Sequence, residues 1–117
     1  MVMGEYEYSR SDCRYWKDGI LKMKALGCNA VQSYVIWSHH EEIEGKFNFR
    51  GNNNLRKFIR EIKEAGMLMC LRIGPWVHGE VRNGGFPDWM FEKNMKTRTD
   101  DPEYMAVLER YLREIYK

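Results

Sequence analysis

One local pattern occurs twice in this sequence and restricts the fold more than any other feature: an amphipathic helix, a glycine and then an apolar segment of strand length. Lys24-Ala25-Leu26-Gly27 leads into the apolar segment 30–37, and Lys63-Glu64-Ala65-Gly66 leads into segment 67–73. A helix that ends at a glycine and passes directly into a buried strand is typical of a βα repeat. With a strand-like segment at 1–8, the pattern predicts three βα units with parallel strands.

Three helices are expected from apolar residues at helical spacing. The first two end at Gly27 and Gly66, and the third begins with Asp101 as its N-cap and Pro102 at its first position. The apolar stripes are Trp16, Ile20 and Met23 in the first helix, Leu55, Phe58, Ile59 and Ile62 in the second, and Tyr104, Val107, Leu108, Tyr111, Leu112 and Ile115 in the third.

The third predicted strand, segment 67–73, is apolar almost throughout, which is typical of a strand buried on both faces. Gly74-Pro75 ends it, because proline supplies no donor to a strand ladder. The three cysteines, Cys13, Cys28 and Cys70, form no CxxC pair, and we interpret them as small core residues.

The overall composition excludes several classes of protein. A net charge of +2, with basic and acidic residues well mixed, argues against a nucleic-acid partner. No apolar run approaches the roughly 20 residues of a membrane span, and the N-terminus lacks the apolar region of a signal peptide. Compartment and subunit number stay open.

The segment after the third predicted strand, 74–89, combines aromatic rings with hydrogen-bonding groups: Trp76, His78, Glu80, Arg82, Asn83, Phe86 and Trp89. Gly79, Gly84 and Gly85 would let its backbone approach another group closely. Such a loop at the carboxyl end of a strand favours a site for a polar, ring-shaped ligand, and a sugar fits best. The alternative is that the tryptophans only pack over a barrel rim.

Long loops after each strand fit a (β/α)₈ TIM barrel better than a doubly wound sheet. No Gly-x-Gly-x-x-Gly follows the first strand, so a dinucleotide cofactor has no support, and we expect no cofactor. A complete barrel takes about 250 residues. The 117 residues are therefore expected to supply roughly the first three βα units, as the N-terminal part of a catalytic barrel.

The chain resembles the N-terminal part of the catalytic barrel of glycoside hydrolase family 35, the β-galactosidase family, over essentially its whole length. The segments that carry the resemblance are Gly4-Glu5-Tyr6-Glu7-Tyr8-Ser9-Arg10, Tyr15-Trp16-Lys17-Asp18, Leu21-Lys22-Met23-Lys24-Ala25-Leu26-Gly27, Tyr34-Val35-Ile36-Trp37, His40-Glu41, Gly45-Lys46-Phe47-Asn48-Phe49, Arg72-Ile73-Gly74-Pro75, Glu80, Gly84-Gly85-Phe86-Pro87-Asp88-Trp89 and Arg98-Thr99-Asp100-Asp101.

The resemblance implies a retaining exo-acting glycosidase that removes a terminal β-linked sugar, usually galactose, from a glycan. Such chemistry needs two carboxyl groups about 5 to 5.5 Å apart, an acid/base and a nucleophile. In the family both are glutamates, and the acid/base lies in an Asn-Glu pair that this sequence does not contain. We therefore expect both catalytic glutamates beyond Lys117 and none among the residues of this chain.

The resemblance also implies the substrate-binding residues. Tyr34 is at the position of a family tyrosine that contacts the galactose, and Glu80 matches the glutamate that binds sugar hydroxyls. Gly79 is at a position where most members have alanine and the backbone contacts the sugar. Trp37 and Trp76 are expected to shape the pocket wall. Together, Tyr34, Glu80, Gly79, Trp37 and Trp76 form the predicted sugar site.

Several positions depart from the family pattern. The usual Trp-Asn is Trp37-Ser38, the usual His-Glu-Pro is His40-Glu41-Glu42, and the usual Cys-Ala-Glu-Trp is His78-Gly79-Glu80-Val81. Glu7 replaces a common histidine. Because these changes cluster around the pocket mouth, they put the sugar and its linkage in doubt more than the class of reaction.

Three other interpretations stay open at this point. The chain could be a non-catalytic carbohydrate-binding module, which needs no acid or nucleophile. His39, His40 and Glu41 could hold a metal ion, although adjacent histidines usually point apart and the helical spacing of a zinc motif is absent, so we expect no metal. Glu41 and Glu80 could be proposed as a catalytic pair, but the resemblance makes Glu80 a sugar ligand and Glu41 structural.

Overall fold

The computed structural model describes all 117 residues and divides them into two compact units. We call residues 1–35 and 48–72 the sheet unit, and residues 36–47 and 73–117 the loop unit. The strands are β1 (Met3–Glu5), β2 (Ala30–Tyr34) and β3 (Leu68–Arg72), and the helices are α1 (Trp16–Ala25), α2 (Trp37–His40), α3 (Leu55–Glu64), α4 (Asp88–Glu92) and α5 (Pro102–Ile115). None of the helices is long and apolar enough to cross a membrane.

The three strands of the sheet unit form one parallel sheet in the order β1-β2-β3. Val31 of β2 is paired with Gly4 of β1 on one side and with Met69 of β3 on the other. Parallel neighbours need a crossover, and α1 and α3 lie in the two connections. The α/β class and the parallel strands predicted from the repeated pattern are confirmed.

The ends of α1 and α3 follow from local signals in the sequence. Asn54 caps α3 by accepting a hydrogen bond from the amide of Lys57 at 3.0 Å. Beyond the carboxyl ends of the two helices, Gly27 and Gly66 have φ values of 95° and 71°, a backbone conformation that glycine adopts without a Cβ clash. Both glycine ends predicted from the sequence are therefore confirmed.

The core of the sheet unit is built around three buried rings. Phe58 of α3 lies between Tyr8 and Trp16, with ring centroids 5.2 Å and 5.3 Å away. The indole nitrogen of Trp16 donates to the backbone carbonyl of Tyr8 at 3.1 Å, so its polar end is satisfied in the core. Ile20 and Ile62, both predicted stripe residues, are also buried.

Two predicted strands are shorter in the structure. The segment 1–8 forms a strand only to Glu5, because Tyr8–Arg10 folds into a 3₁₀ turn. The segment 30–37 leaves the sheet after Tyr34, and Trp37 begins α2. Their apolar residues beyond the strands are buried by side-chain packing, which periodicity does not distinguish from burial in a sheet.

The prediction that the third strand is buried on both faces is wrong for this structure. Leu68 is 64% exposed, and Cys70 is exposed as well. The reason is that β3 is an outer strand of the three-stranded sheet and has one neighbour, β2. The interpretation of the cysteines as core residues is therefore wrong for Cys70, while Cys13 and Cys28 are half-buried free thiols.

The loop unit has a core of aromatic side chains drawn from its helices and loops: Trp37, Phe86, Trp89, Tyr104 and Tyr111. Its longest helix, α5, begins as predicted, with the side chain of Asp101 accepting a bond from the amide of Glu103 at 3.1 Å. Tyr104, Val107 and Tyr111 supply its buried face, which confirms three positions of the predicted stripe, while Leu108, Leu112 and Ile115 are half-buried.

Candidate functional site

Tyr34 is the predicted sugar contact of the sheet unit, and it lies at the carboxyl end of β2. The residue is 4% exposed, yet its hydroxyl group has no hydrogen-bond partner. The guanidinium group of Arg72 lies 4.0 Å from the centroid of the Tyr34 ring, a cation–π contact. An unsatisfied buried hydroxyl is costly to a fold and is able to bond a ligand group.

Two carboxyl groups follow at the end of β1, in the same unit. The side chain of Glu7 accepts the backbone N–H of Tyr34, at 3.4 Å and 3.3 Å to its two oxygens. Burial, with a hydrogen bond to Glu5 as the next cause, raises the pKa of Glu7 to about 7. In the sequence Glu7 is a departure from the family pattern, and its i, i+2 spacing from Glu5 puts the two carboxyl groups on one side of a strand.

In the loop unit, the half-buried Trp76 is held by its own loop. A Cβ atom at Gly84 would lie 2.1 Å from the Trp76 ring, and one at Gly85 would lie 2.9 Å from Val77. These glycines therefore let the backbone approach neighbouring side chains of the same loop, not a ligand. Arg98 lies 4.9 Å from the ring centroid of Trp76, a cation–π contact.

Gly79 and Glu80 are exposed and adjacent in this loop. A Cβ atom at Gly79 would meet nothing within 4 Å, so the alanine that is common in the family would fit here. The carboxylate of Glu80 belongs to no ion pair in the structure and is accessible to a hydroxyl-bearing ligand. Both residues thus have the exposure that the predicted role needs.

Trp37 has a different environment from the one expected. It is 0% exposed and stacks on Tyr111 with a centroid distance of 4.4 Å and an interplanar angle of 14°. Its indole nitrogen donates to Glu41 at 2.6 Å. The aromatic core of the loop unit therefore covers the Trp37 ring, and the role of Trp37 in shaping a sugar pocket stays a prediction.

Glu41 is the most heavily bonded carboxylate of the loop unit. It is 0% exposed and accepts bonds from the indole of Trp37, from the guanidinium of Arg110 and from the amide of Gly45 at 2.8 Å. Trp89 donates to its backbone carbonyl at 3.0 Å. A buried carboxylate with these partners anchors the fold, as expected from the resemblance, and has no free oxygen for proton transfer.

A metal site needs several ligating side chains close together. No group of three or more His, Cys, Asp or Glu residues is arranged to hold a metal ion. His40 is buried in α2, next to the anchoring Glu41. The metal interpretation built on His39, His40 and Glu41 has no geometric support.

A family model described as "Glycosyl hydrolases family 35" matches residues 1–117. The chain belongs to glycosyl hydrolase family 35. The resemblance read from the motifs is thereby confirmed over the entire chain.

The relatives of this family 35 chain are much longer than the chain itself. The β-galactosidase of Bos taurus is 41% identical over 112 residues, which are 95% of this chain and 17% of the relative. The β-galactosidase of Xanthomonas manihotis is 37% identical over 118 residues, which are 100% of this chain and 20% of the relative. The chain thus spans about a fifth or less of the length of these β-galactosidases.

A solved structure supports the barrel prediction. The exo-β-1,4-mannosidase from Opitutaceae bacterium strain TAV5 matches with a TM-score of 0.70 and 19% identity, over 97% of this chain and 21% of that one. At this identity the likeness concerns the fold alone. The fold of this family 35 chain is that of part of a glycosidase TIM barrel.

Proposed function

We propose that this chain is the N-terminal part of the catalytic barrel of a retaining exo-β-galactosidase, acting on glycans with a terminal β-linked galactose. The observation that carries the proposal is the match to family 35 over residues 1–117, joined to 41% identity with a β-galactosidase. The family implies a carbohydrate substrate, and the relatives favour galactose as the sugar.

The residues of the chain suit sugar recognition better than bond cleavage. Both oxygens of the buried Glu41 carboxylate are bonded within the loop unit, which makes Glu41 unsuited to act as a catalytic partner of Glu80. Retaining hydrolysis needs two carboxyl groups about 5 to 5.5 Å apart. We therefore assign the acid/base and the nucleophile to polypeptide beyond Lys117.

Each proposed sugar contact has a role that its chemistry allows. The Tyr34 hydroxyl supplies a hydrogen bond, since it has no partner within the chain. Glu80 accepts bonds from sugar hydroxyls, and the Gly79 backbone supplies a further polar contact. Trp76 offers an aromatic face to the apolar side of a sugar ring. Trp37 acts indirectly, by packing against Tyr111 and binding Glu41.

A chimera tests this proposal. The matching 118-residue segment of the Xanthomonas manihotis β-galactosidase would be replaced by this chain, and hydrolysis of an aryl β-galactoside would be measured. We expect an active chimera, whereas the 117 residues alone should give no turnover. Glu80→Gln and Tyr34→Phe should each reduce kcat/KM by at least about tenfold, because each removes a bond to the sugar.

Glu92→Gln is the matched control for Glu80→Gln, because Glu92 is an exposed carboxylate of the loop unit, and it should leave the rate unchanged. Turnover by the isolated chain would contradict the assignment of both catalytic glutamates to other polypeptide. The alternative is a carbohydrate-binding module. It would be favoured if the chimera is folded, as judged by its thermal melt, but inactive, and if the isolated chain binds galactose.

A further inference from the structure

The pairing of β1 with β2 ends in an unusual way. The amide of Tyr6 donates to the carbonyl of Gln32 at 2.9 Å, which extends the ladder one residue past β1. The chain then turns away into the 3₁₀ turn Tyr8–Arg10. The next amide of β2 on this side, that of Tyr34, is bonded by the side chain of Glu7 at 3.3 Å and 3.4 Å.

The Glu7 carboxyl group has a defined set of charged neighbours. Glu5 of β1 shares a hydrogen bond with the Glu7 carboxyl group and repels its charge. Arg10 of the 3₁₀ turn and the backbone amide of Tyr34 in β2 both stabilise the charged form of Glu7. Burial is the largest influence, and together these raise the pKa of Glu7 to about 7. Its protonation state therefore changes in the neutral range.

We propose that Glu7 is a positioning residue: its carboxyl group completes the β1–β2 pairing where the backbone of β1 turns away, and it holds the main chain of Tyr34. The charge on Glu7 is thereby coupled to the backbone that carries the Tyr34 phenol. A charged acceptor binds an amide more strongly than a neutral one. Tyr34 is consequently held more firmly when Glu7 is ionised.

The consequence for ligand binding rests on the proposed role of Tyr34 as a sugar contact. Sugar affinity should rise as pH increases through the titration of Glu7, because ordering Tyr34 beforehand lowers the cost of binding. The coupling between Glu7 and the Tyr34 amide is a property of the sheet unit alone, and a measurement without sugar decides it.

Amide NMR spectra of the ¹⁵N-labelled 117-residue chain, recorded from pH 5 to pH 8.5, provide that measurement. We expect the Tyr34 amide proton to titrate with a midpoint near the Glu7 pKa of about 7. Glu7→Gln should abolish the titration. Glu5→Gln should move its midpoint to lower pH, because a repelling carboxylate is lost. Glu64→Gln, an exposed carboxylate of α3, is the matched control and should change nothing.

Hydrogen exchange separates positioning from a general loss of structure. Glu7→Ala should speed hydrogen exchange of the Tyr34 amide at least about tenfold, while the Val31 amide keeps its protection. Glu7→Gln retains an acceptor oxygen and should therefore keep most of the protection at Tyr34. A Tyr34 amide that does not titrate in the wild-type chain, or that titrates equally in Glu7→Gln, would overturn the proposal.

Galactose titrations at pH 6 and pH 8 complete the experiment. Wild-type chain should bind galactose several-fold more tightly at pH 8, and Glu7→Gln should remove this difference. If galactose does not bind at either pH, the proposed sugar contact fails, whereas the amide titration still supports or refutes the role of Glu7. If galactose binds equally tightly at pH 6 and at pH 8, Glu7 does not govern the orientation of Tyr34.

Discussion

The sheet unit and the loop unit are built by different means. In the sheet unit, a backbone ladder joins three strands, and each helix has local start or stop signals close to it in sequence. In the loop unit, the long-range contacts depend on side chains: the Glu41 carboxylate pairs with Arg110, 69 residues away, and the Trp89 indole donates to the Glu41 backbone carbonyl, 48 residues away. Signals that lie within a few residues of a helix end can therefore be recognised in the sequence, whereas contacts between residues far apart in the sequence become known only from the folded structure.

The largest effect expected on this comparison is at Glu41. Glu41→Gln should lower the free energy of unfolding by about 3 kcal/mol, because Arg110 loses its buried partner. Hydrogen exchange should show the loss first in the loop unit, with β2 amides still protected. Chemical denaturation measures the free energy of unfolding of the whole chain. Glu42→Gln, which changes an exposed neighbour, should alter this free energy by less than about 0.5 kcal/mol. Equal effects of the two variants would show that the loop unit does not depend on this ion pair.

Two glycines of one loop provide the next test. Gly84→Ala should cost about 2 kcal/mol, because its Cβ would lie 2.1 Å from the Trp76 ring at a φ of 61°. Gly79→Ala should be close to neutral, because nothing lies within 4 Å. Tryptophan fluorescence and urea unfolding report both effects. If Gly84→Ala is tolerated as well as Gly79→Ala, the packing of Trp76 onto this glycine is not what orders the loop.

The smallest effect expected is a pH dependence that belongs to the sheet unit. In the folded chain, the pKa of Glu7 is about 7, above its ordinary value of 4.5. The folded state therefore holds more protons between these values, and the free energy of unfolding should fall as pH rises through this window, by about 1 kcal/mol after allowance for partial exposure. Urea unfolding at pH 5 and pH 7.5 measures the change. A Glu7→Gln chain that keeps the full pH dependence would assign it to another group.

Sequence reasoning succeeded where burial and local signals agree. The helices α1, α3 and α5, the cap residue Asp101 and the terminal glycine Gly66 appear as expected, because each depends on hydrogen bonds within a few residues. The family was also recognisable, since its motifs extend along the whole chain.

The same reasoning failed where an apolar residue could be buried in more than one way. The apolar pattern predicts Trp37 at the end of a strand, yet it begins α2 and stacks on Tyr111. Leu68 and Cys70 were read as buried, yet they are exposed on an outer strand. An apolar pattern shows that a side chain would prefer burial, but not which neighbour supplies it.

By itself, the sequence determined the parallel βα architecture, the helix ends and the family, because these depend on periodicity, nearby hydrogen bonds and motifs that are contiguous in the chain. Only the tertiary structure decided that Glu41 pairs with Arg110, that the Tyr34 hydroxyl is buried without a partner, and that Glu7 binds the Tyr34 amide. Each of these depends on residues brought together from distant parts of the chain, and on which of several possible partners the packed fold provides.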